Sequence, residues 1–404
     1  MSKSRKPPTG AAPQDGAVDI SATIAWVLDG APPWRTRPTA FGELCQRLVA
    51  GGIPLHRGAL FARTLHPNIL GARYRWRAGS GRVETIENTY DWLQSEEYLR
   101  SVIPLIVETG KPVRRRICDP DCPRDLLQLG PLAAEGGTDY YAQPLRFVMG
   151  EVHVVTWSTC RPGGFSDAMI AALDALNRPM TLLTEIFAQR RLMINLLNIY
   201  VGHAAGQRVL QGAIRRGDVE VIDAAIWVSD LRGSTRWADE LPGREYITLL
   251  NDHFDCIVPA IERHAGEVLK FTGDGVLAIF PLVRGRTHVG CCEAARDAAR
   301  EARAATAALN ERRADRHLAP LRFGLALHIG DVLYGNIGGA NRLDFTATGP
   351  AVNLAARLGA LTGELGHETL VSAEFAAACE DDVIPLGAQP VRGLKRTVDL
   401  YALR

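Results

Sequence analysis

Apolar and polar positions along the first 160 residues switch between helical spacing and strand alternation. Residues 41–50 carry apolar side chains at helical spacing and stop at Gly51-Gly52, which predicts a helix. Residues 58–65 and 72–77 read as strands, the second with clean alternation through Tyr74 and Trp76. Residues 140–145 and 152–157 predict a further strand pair around Met149-Gly150, and a helix starts at Phe165-Ser166-Asp167. Along that helix Met169, Leu173, Leu176, Met180, Leu183, Phe187, Ile194 and Leu197 recur at spacings of four and three, a heptad stripe that Arg190 interrupts. Such a stripe either packs on its own domain or forms the seam of a parallel dimer, and Pro179 bends the helix or removes one hydrogen bond. The amphipathic stretch 196–220, with Gly202, Gly206 and Gly212, has the character of a transducer segment.

From Val221 the pattern changes. An apolar run over 221–229 ends at Asp230, and Leu231-Arg232-Gly233-Ser234-Thr235 then opens a helical stretch, so backbone N–H groups lie beside the acid. A helix over 243–264 precedes two apolar runs, 268–271 and 276–280, broken by Gly273-Asp274-Gly275; this reads as a β-hairpin with an Asp-Gly turn. A long Ala/Arg/Glu helix is predicted over 288–315, and a strand pair over 321–328 and 332–336. Residues 344–349 then lead into a helix over 351–358.

The length of 404 residues exceeds one comfortable core, so two domains are expected. Residues 1–19 mix Lys, Pro, Gly, Ser and Ala without periodicity and read as disordered; they are polar and unlike a signal peptide. A net charge of +1 argues against a general nucleic-acid or membrane-surface binder, and no run of eighteen apolar residues occurs. Eight scattered cysteines, two of them adjacent at Cys291 and Cys292, make no disulfide framework, and a cytoplasmic location fits. Cys118 and Cys122 form a lone pair at three-residue separation that reads as a polar loop, and Arg114-Arg115-Arg116 reads as a solvated charge run.

The chemistry concentrates in the second half. Two carboxylates such as Asp230 and Asp274, meeting at neighbouring strands, can hold a pair of Mg²⁺ ions about 3.5–4 Å apart, the clamp used in phosphoryl transfer. Asn353 and Arg357 are four apart and project from one helix face. An arginine there offers planar donors to a phosphate whose charge grows in the transition state.

These residues stand in phrases that resemble the catalytic domain of class III nucleotide cyclases. The phrases are VSDLRGST (228–235), GEVLKFTGDGVLAIF (266–280), LHIGDVLYGNIGG (327–339) and LDFTATGPAVNLAARL (343–358), in that order. The resemblance implies an α+β, ferredoxin-like catalytic domain over residues 221–404. It implies that Asp230 and Asp274 bind two Mg²⁺ (or Mn²⁺) ions per active site, that Lys270 and Thr346 contact the purine, and that Asn353 orients the ribose. Arg357 would stabilise the pentavalent α-phosphate, and Lys395, in VRGLKRTVDLYAL, would reach the terminal phosphates. Many members carry Asp where Thr346 stands; the Lys/Thr combination resembles an adenylate-selective subgroup, so ATP is expected over GTP. Asp344, two residues earlier on the strand, shares a face with Thr346 but lies further along. In this family the metal aspartates of one chain face the base-, ribose- and phosphate-binding residues of the other, which implies a homodimer with two equivalent sites. The strand pair, the phrase GGFSD (163–167) and the helix after it resemble a GAF-type sensor domain over 20–164. That domain would receive an unidentified signal and pass it through a helical linker over 165–220. The reading is an adenylate cyclase making 3′,5′-cyclic AMP and pyrophosphate, with no nucleic-acid or membrane partner. A guanylate cyclase and a silent nucleotide-binding signalling module are the alternatives.

Overall fold

A computed structural model of the chain describes residues 17–31, 36–64, 66–282, 285–379 and 382–404. The disorder expected over 1–19 falls, through residue 16, outside the described residues. Asp19 itself is held: its N–H donates to the Gly51 carbonyl at 3.1 Å, and its carboxylate accepts from the Ser21 N–H at 2.9 Å. The chain separates into two compact units, Met1–Leu196 and Leu197–Arg404.

In the first unit, α1 (Ser21–Leu28) and α2 (Arg37–Ala50) precede β1 (Arg57–Arg63), β2 (Gly71–Arg77) and β3 (Val83–Asn88). A 3₁₀ turn (Tyr90–Gln94), α3 (Glu96–Leu99), α4 (Val102–Thr109), β4 (Val113–Arg115) and α5 (Leu129–Ala134) follow. Then come β5 (Asp139–Arg146), β6 (Val152–Thr159) and α6 (Asp167–Tyr200). The strands form one antiparallel sheet in the order β3-β2-β1-β6-β5-β4. Period-two alternation divides its side chains between two cores. Leu60, Trp76 and Trp157 face Phe41 and Leu48 of α2 and Leu173 of α6. Phe61, Tyr140 and Val154 face Ile106 of α4 and Leu129 of α5.

The arginine run is not a solvated face. Arg114 donates to the fully buried Asp139 carboxylate at 2.7 Å, Arg115 pairs with Asp125 at 2.6 Å, and Arg116 lies 3.4 Å from Asp119. Asp139 also accepts from the Phe165 N–H at 3.0 Å, so one buried ion pair ties β4 and β5 to the start of α6. Helix α6 continues through Pro179 as one 34-residue element. The heptad stripe grades along it: Met169, Leu173, Leu176 and Met180 are buried in the first unit's core, Leu183, Phe187, Ile194 and Leu197 are half-buried, and Ile186, Met193 and Tyr200, outside the stripe, are exposed.

The second unit contains α7 (His203–Leu210), β7 (Val219–Leu231), α8 (Ser234–Glu240), α9 (Gly243–Arg263), β8 (Glu267–Thr272) and β9 (Gly275–Pro281). It continues with α10 (His288–Ala314), β10 (Phe323–Gly338), β11 (Leu343–Thr348), α11 (Pro350–Glu364), β12 (Thr369–Ser372), α12 (Ala373–Ala376), β13 (Val383–Gln389) and β14 (Val398–Leu403). The sheet runs β13-β14-β12-β10-β7-β9-β8, with β11 pairing on β10; β10 and β12 are parallel and the other pairs antiparallel. Both faces are covered, which is why β7 and β9 read as continuous apolar runs. Ala225 and Trp227 pack under α9 and α10, while Ala224 and Ile226 face α7 and α11.

The strand pair expected over 321–336 is a single sixteen-residue strand, β10. Gly330-Asp331 has turn composition, yet the thirteen-residue β7 supplies a ladder that passes straight through it, pairing Gly330 with Ala224 and Asp331 with Asp223. All eight cysteines are free. Among the described residues no helix is long and apolar enough to cross a membrane.

Candidate active site

The register of three strands brings two carboxylates together. Ser229 of β7 pairs with Val276 of β9, so Asp230 and Gly275 lie one residue further out at the same end of the sheet. Thr272 pairs with Gly275, leaving Gly273-Asp274 as a two-residue hairpin turn rather than the Asp-Gly turn expected. Gly273 adopts φ +71°, the positive φ that the first position of a II′-type turn demands. A Cβ on Gly275 would stand 2.7 Å from the Ser229 carbonyl oxygen and 3.3 Å from Asp230 Oδ1. The absent side chain therefore lets the turn close against Asp230.

Asp230 and Asp274 lie close enough to interact, and two like charges so placed become favourable only with a proton or a cation between them. The Asp230 pKa is lifted from 3.8 to about 6, first by burial and then by the Asp274 charge and hydrogen bond, with Arg232 opposing. Asp230 is exposed as a residue, so the neighbouring Asp274 charge matters more than burial. Asp274 Oδ2 is buried with no hydrogen-bond partner. Two acids and an orphaned carboxylate oxygen suit a hard divalent cation, and leaving such an oxygen dry and unpaired is costly. Among the described residues no cluster of three or more His, Cys, Asp or Glu side chains forms a metal cage. A cation held here would complete its shell with water or ligand oxygens, as Mg²⁺ commonly does.

Lys270 and Thr346 meet elsewhere. A cleft of about 940 Å³ is lined by Lys270 of β8 and by Asp344 and Thr346 of β11, with Glu267, Tyr200 and His203 on its walls. Asp344 thus reaches the same cleft as Thr346, although it lies two residues along the strand. The Thr346 side chain is buried, and its Oγ1 has no hydrogen-bond partner. Lys270 is exposed.

Helix α11 starts at Pro350 after Gly349 and carries Asn353, exposed, and Arg357, half-buried. No hydrogen bond or ion pair engages the Arg357 guanidinium among the described residues; it lies against the β13–β14 loop, where a Cβ on Gly393 would be 3.3 Å from its Nη2. Lys395 is exposed two residues further along that loop. The chain thus gathers its candidate residues in three places: Asp230 with Asp274, Lys270 with Thr346, and Asn353 with Arg357 beside the Lys395 loop.

Four side chains near these places carried little sequence signal. His253 falls on the apolar stripe of α9 with Leu249 and Ile257, so it reads as core. It is buried with both ring nitrogens unpartnered, and burial lowers its pKa to about 4 against the pull of the Asp274 charge. At the cleft, the Tyr334 hydroxyl donates to Glu267, 2.7 Å from each carboxylate oxygen, and burial raises the Glu267 pKa. Arg208 of α7 stacks over the Tyr334 ring at 4.8 Å and pairs with Glu220.

Residues 220–403 match the sequence model of the adenylate and guanylate cyclase catalytic domain. The second unit is a cyclase catalytic domain. The chain is 29% identical over 177 residues to adenylate cyclase 1 of Rhizobium meliloti (strain 1021), covering 43% of this chain and 26% of that protein. It is 29% identical over 202 residues to an uncharacterized protein of Mycobacterium tuberculosis, covering 50% of this chain and 34% of that protein. The chain therefore spans only about a quarter to a third of these curated relatives. Among solved structures, the adenylyl cyclase CyaB from P. aeruginosa is 25% identical with a TM-score of 0.43, covering 46% of this chain and 96% of that one. A bacterial light-regulated adenylyl cyclase is 26% identical with a TM-score of 0.46, covering 56% and 64%. All seven candidate residues of the cyclase domain fall inside the matched segment.

Proposed function

We propose that the cyclase domain converts ATP to 3′,5′-cyclic AMP and pyrophosphate. The observation that carries this reading is the pair formed by Asp230, whose pKa is raised, and Asp274, whose buried oxygen has no partner among the described residues. Those two residues would hold Mg²⁺ or Mn²⁺, two ions per site, which when bound supply Lewis-acid stabilisation and lower the pKa of the ribose 3′-hydroxyl. The 3′-oxygen attacks the α-phosphorus as the bond from that phosphorus to the β-phosphate oxygen breaks. Pyrophosphate leaves, and the hydroxyl proton passes to solvent.

The chain's own residues bind and orient. Lys270 donates to adenine N1, a contact that the protonated N1 of guanine would refuse. The Thr346 hydroxyl, which lacks a partner among the described residues, accepts from the adenine amino group. Asn353 holds the ribose, and Arg357, free of ion pairs among the described residues, meets the charge that grows on the α-phosphate. Lys395 serves the terminal phosphates. The Lys270–Thr346 cleft does not include Asp230 or Asp274. This separation supports a site completed by a second copy of the chain, the carboxylate pair of one subunit facing the base cleft of the other.

We read the first unit as a GAF-like sensor in a cytoplasmic protein. Its antiparallel sheet, covered on both faces and followed directly by the long α6, supports that reading. The test of the catalytic reading is incubation of the purified chain with ATP or GTP and Mg²⁺ or Mn²⁺. Cyclic AMP in excess of cyclic GMP is expected, and it should vanish with Asp230→Asn. A dimeric preparation that makes neither product, both as the full chain and as residues 197–404, would overturn it.

A further inference from the structure

We propose that the first unit binds a small organic acid, an oxyanion head on a flat apolar body, in the cavity between its sheet and helices α4 and α5. The cavity encloses about 410 Å³, within the range of small-molecule sites. Its space comes from a short side chain: Ala59, at the centre of the sheet, pairs with Arg75 on one side and Thr156 on the other. The inner end is apolar and aromatic, formed by Phe61, Trp92, Ile103 and Val154.

The other end is cationic. Arg57, Arg73 and Arg75 line the cavity against a single carboxylate, Glu97. Arg73 is fully engaged, bonded to Glu97 and Asn88 and stacked 4.7 Å over Trp92. Arg57 shares Glu135 with Arg77 and His56. Arg75 has only Glu84, at 3.5 Å, and makes no hydrogen bond among the described residues. Beside Arg57 on the neighbouring strand, Ser158 is 2% exposed and its hydroxyl has no partner. A buried hydroxyl without a partner is costly. An acid oxygen placed between Ser158 and the guanidiniums would satisfy it and offset the excess positive charge. Guanidinium forks match the planar geometry of a carboxylate and also accept a phosphate, and the aromatic wall selects a flat body.

The test is titration calorimetry on the full chain, which requires no cyclase activity. The probes are phenylacetate, phenyl phosphate, the neutral phenylacetamide and inorganic phosphate. At least one of the two organic acids should bind at least about tenfold more tightly than both the amide and inorganic phosphate. The tighter of the two identifies the head group. Ala59→Phe, which fills the space, should abolish that binding, and Ser158→Ala and Arg75→Ala should each weaken it by about three- to tenfold. Ser158→Ala removes a hydroxyl that bonds nothing among the described residues, so it gives a reading even if Ala59→Phe fails to fold. The proposal is overturned if the amide binds as well as the acids, if inorganic phosphate binds as well, if no acid binds up to millimolar concentration, or if Ser158→Ala changes nothing.

Discussion

The Asp230–Asp274 pair should make the cyclase domain less stable without metal and more stable with it, and Asp274→Asn should reverse both. The Asp230 pKa of about 6, against 3.8 for an unperturbed group, would correspond to ~3 kcal/mol if the group were fully screened from solvent. Asp230 is exposed, so the realistic cost is nearer ~1 kcal/mol. The sign follows from proton binding. Between about pH 4 and pH 6 the folded domain holds a proton that the unfolded chain has already released, so stability falls as pH rises through that window and is flat above it. Asp274→Asn removes the partner charge and most of that slope. In chelator at pH 7 the variant should therefore be ~1 kcal/mol more stable, and an unfolding transition for a unit of about 200 residues moves by roughly 2–4 °C per kcal/mol. Metal inverts the order. Mn²⁺ at a hundred times its dissociation constant adds ~2.7 kcal/mol to a folded state that binds it, and the variant has lost a ligand. Melting curves in EDTA and in Mn²⁺, at pH 4.5 and pH 7, test all three statements. A variant that melts below wild type in EDTA, or that gains as much from Mn²⁺, would refute the reasoning.

Other perturbations follow from single contacts. Thr346→Val replaces a buried, unpartnered hydroxyl with an isosteric methyl; kcat/KM for ATP should fall about tenfold with the melting temperature unchanged, and an unaltered ATP-to-GTP ratio would remove Thr346 from base recognition. Arg357→Lys keeps the charge but loses the fork, and kcat should drop about a hundredfold with KM nearly constant; steady-state kinetics would show otherwise if KM alone rose. Asp139→Ala leaves Arg114 facing a hole where a fully buried carboxylate stood, and urea unfolding of the first unit should register a loss of about 3–5 kcal/mol. A loss below about 1 kcal/mol would mean that the pair does not hold β4 and β5 to α6.

Local pattern revealed most elements because the apolar periods were strong, and failed where a partner strand overruled composition. Gly330-Asp331 looks like a turn to any reading of neighbours, but the ladder of β7 continues across it. Asp-Gly looks like the hairpin turn at 273–275, but the approach of Gly275 to Ser229 and Asp230 shifts the turn by one residue. Arg114-Arg115-Arg116 looks solvated because its acids lie 25, 10 and 3 residues away, at Asp139, Asp125 and Asp119. The candidate site was legible as phrases, since each phrase binds its residue to a strand end or helix face. Glu267 and Tyr334 stand in two separate phrases and Arg208 in none, so their cluster exists only where the fold brings β8, β10 and α7 together.

The heptad stripe shows what periodicity alone leaves open. Both meanings of such a stripe, domain core and dimer seam, are written with the same residues at the same spacing. The fold assigns the first four positions, Met169 to Met180, to the core of the first unit, leaves Leu183, Phe187, Ile194 and Leu197 half-buried, and exposes Ile186, Met193 and Tyr200 on an adjoining face. A helix anchored in this way at one end has little freedom to rotate there. If the proposed second copy completes the catalytic site, that exposed face, with the half-buried positions beside it, is where the two chains would meet. A ligand in the first unit's cavity would then act through α6. The cavity's sheet supplies, from its opposite face, the core against which that helix is anchored.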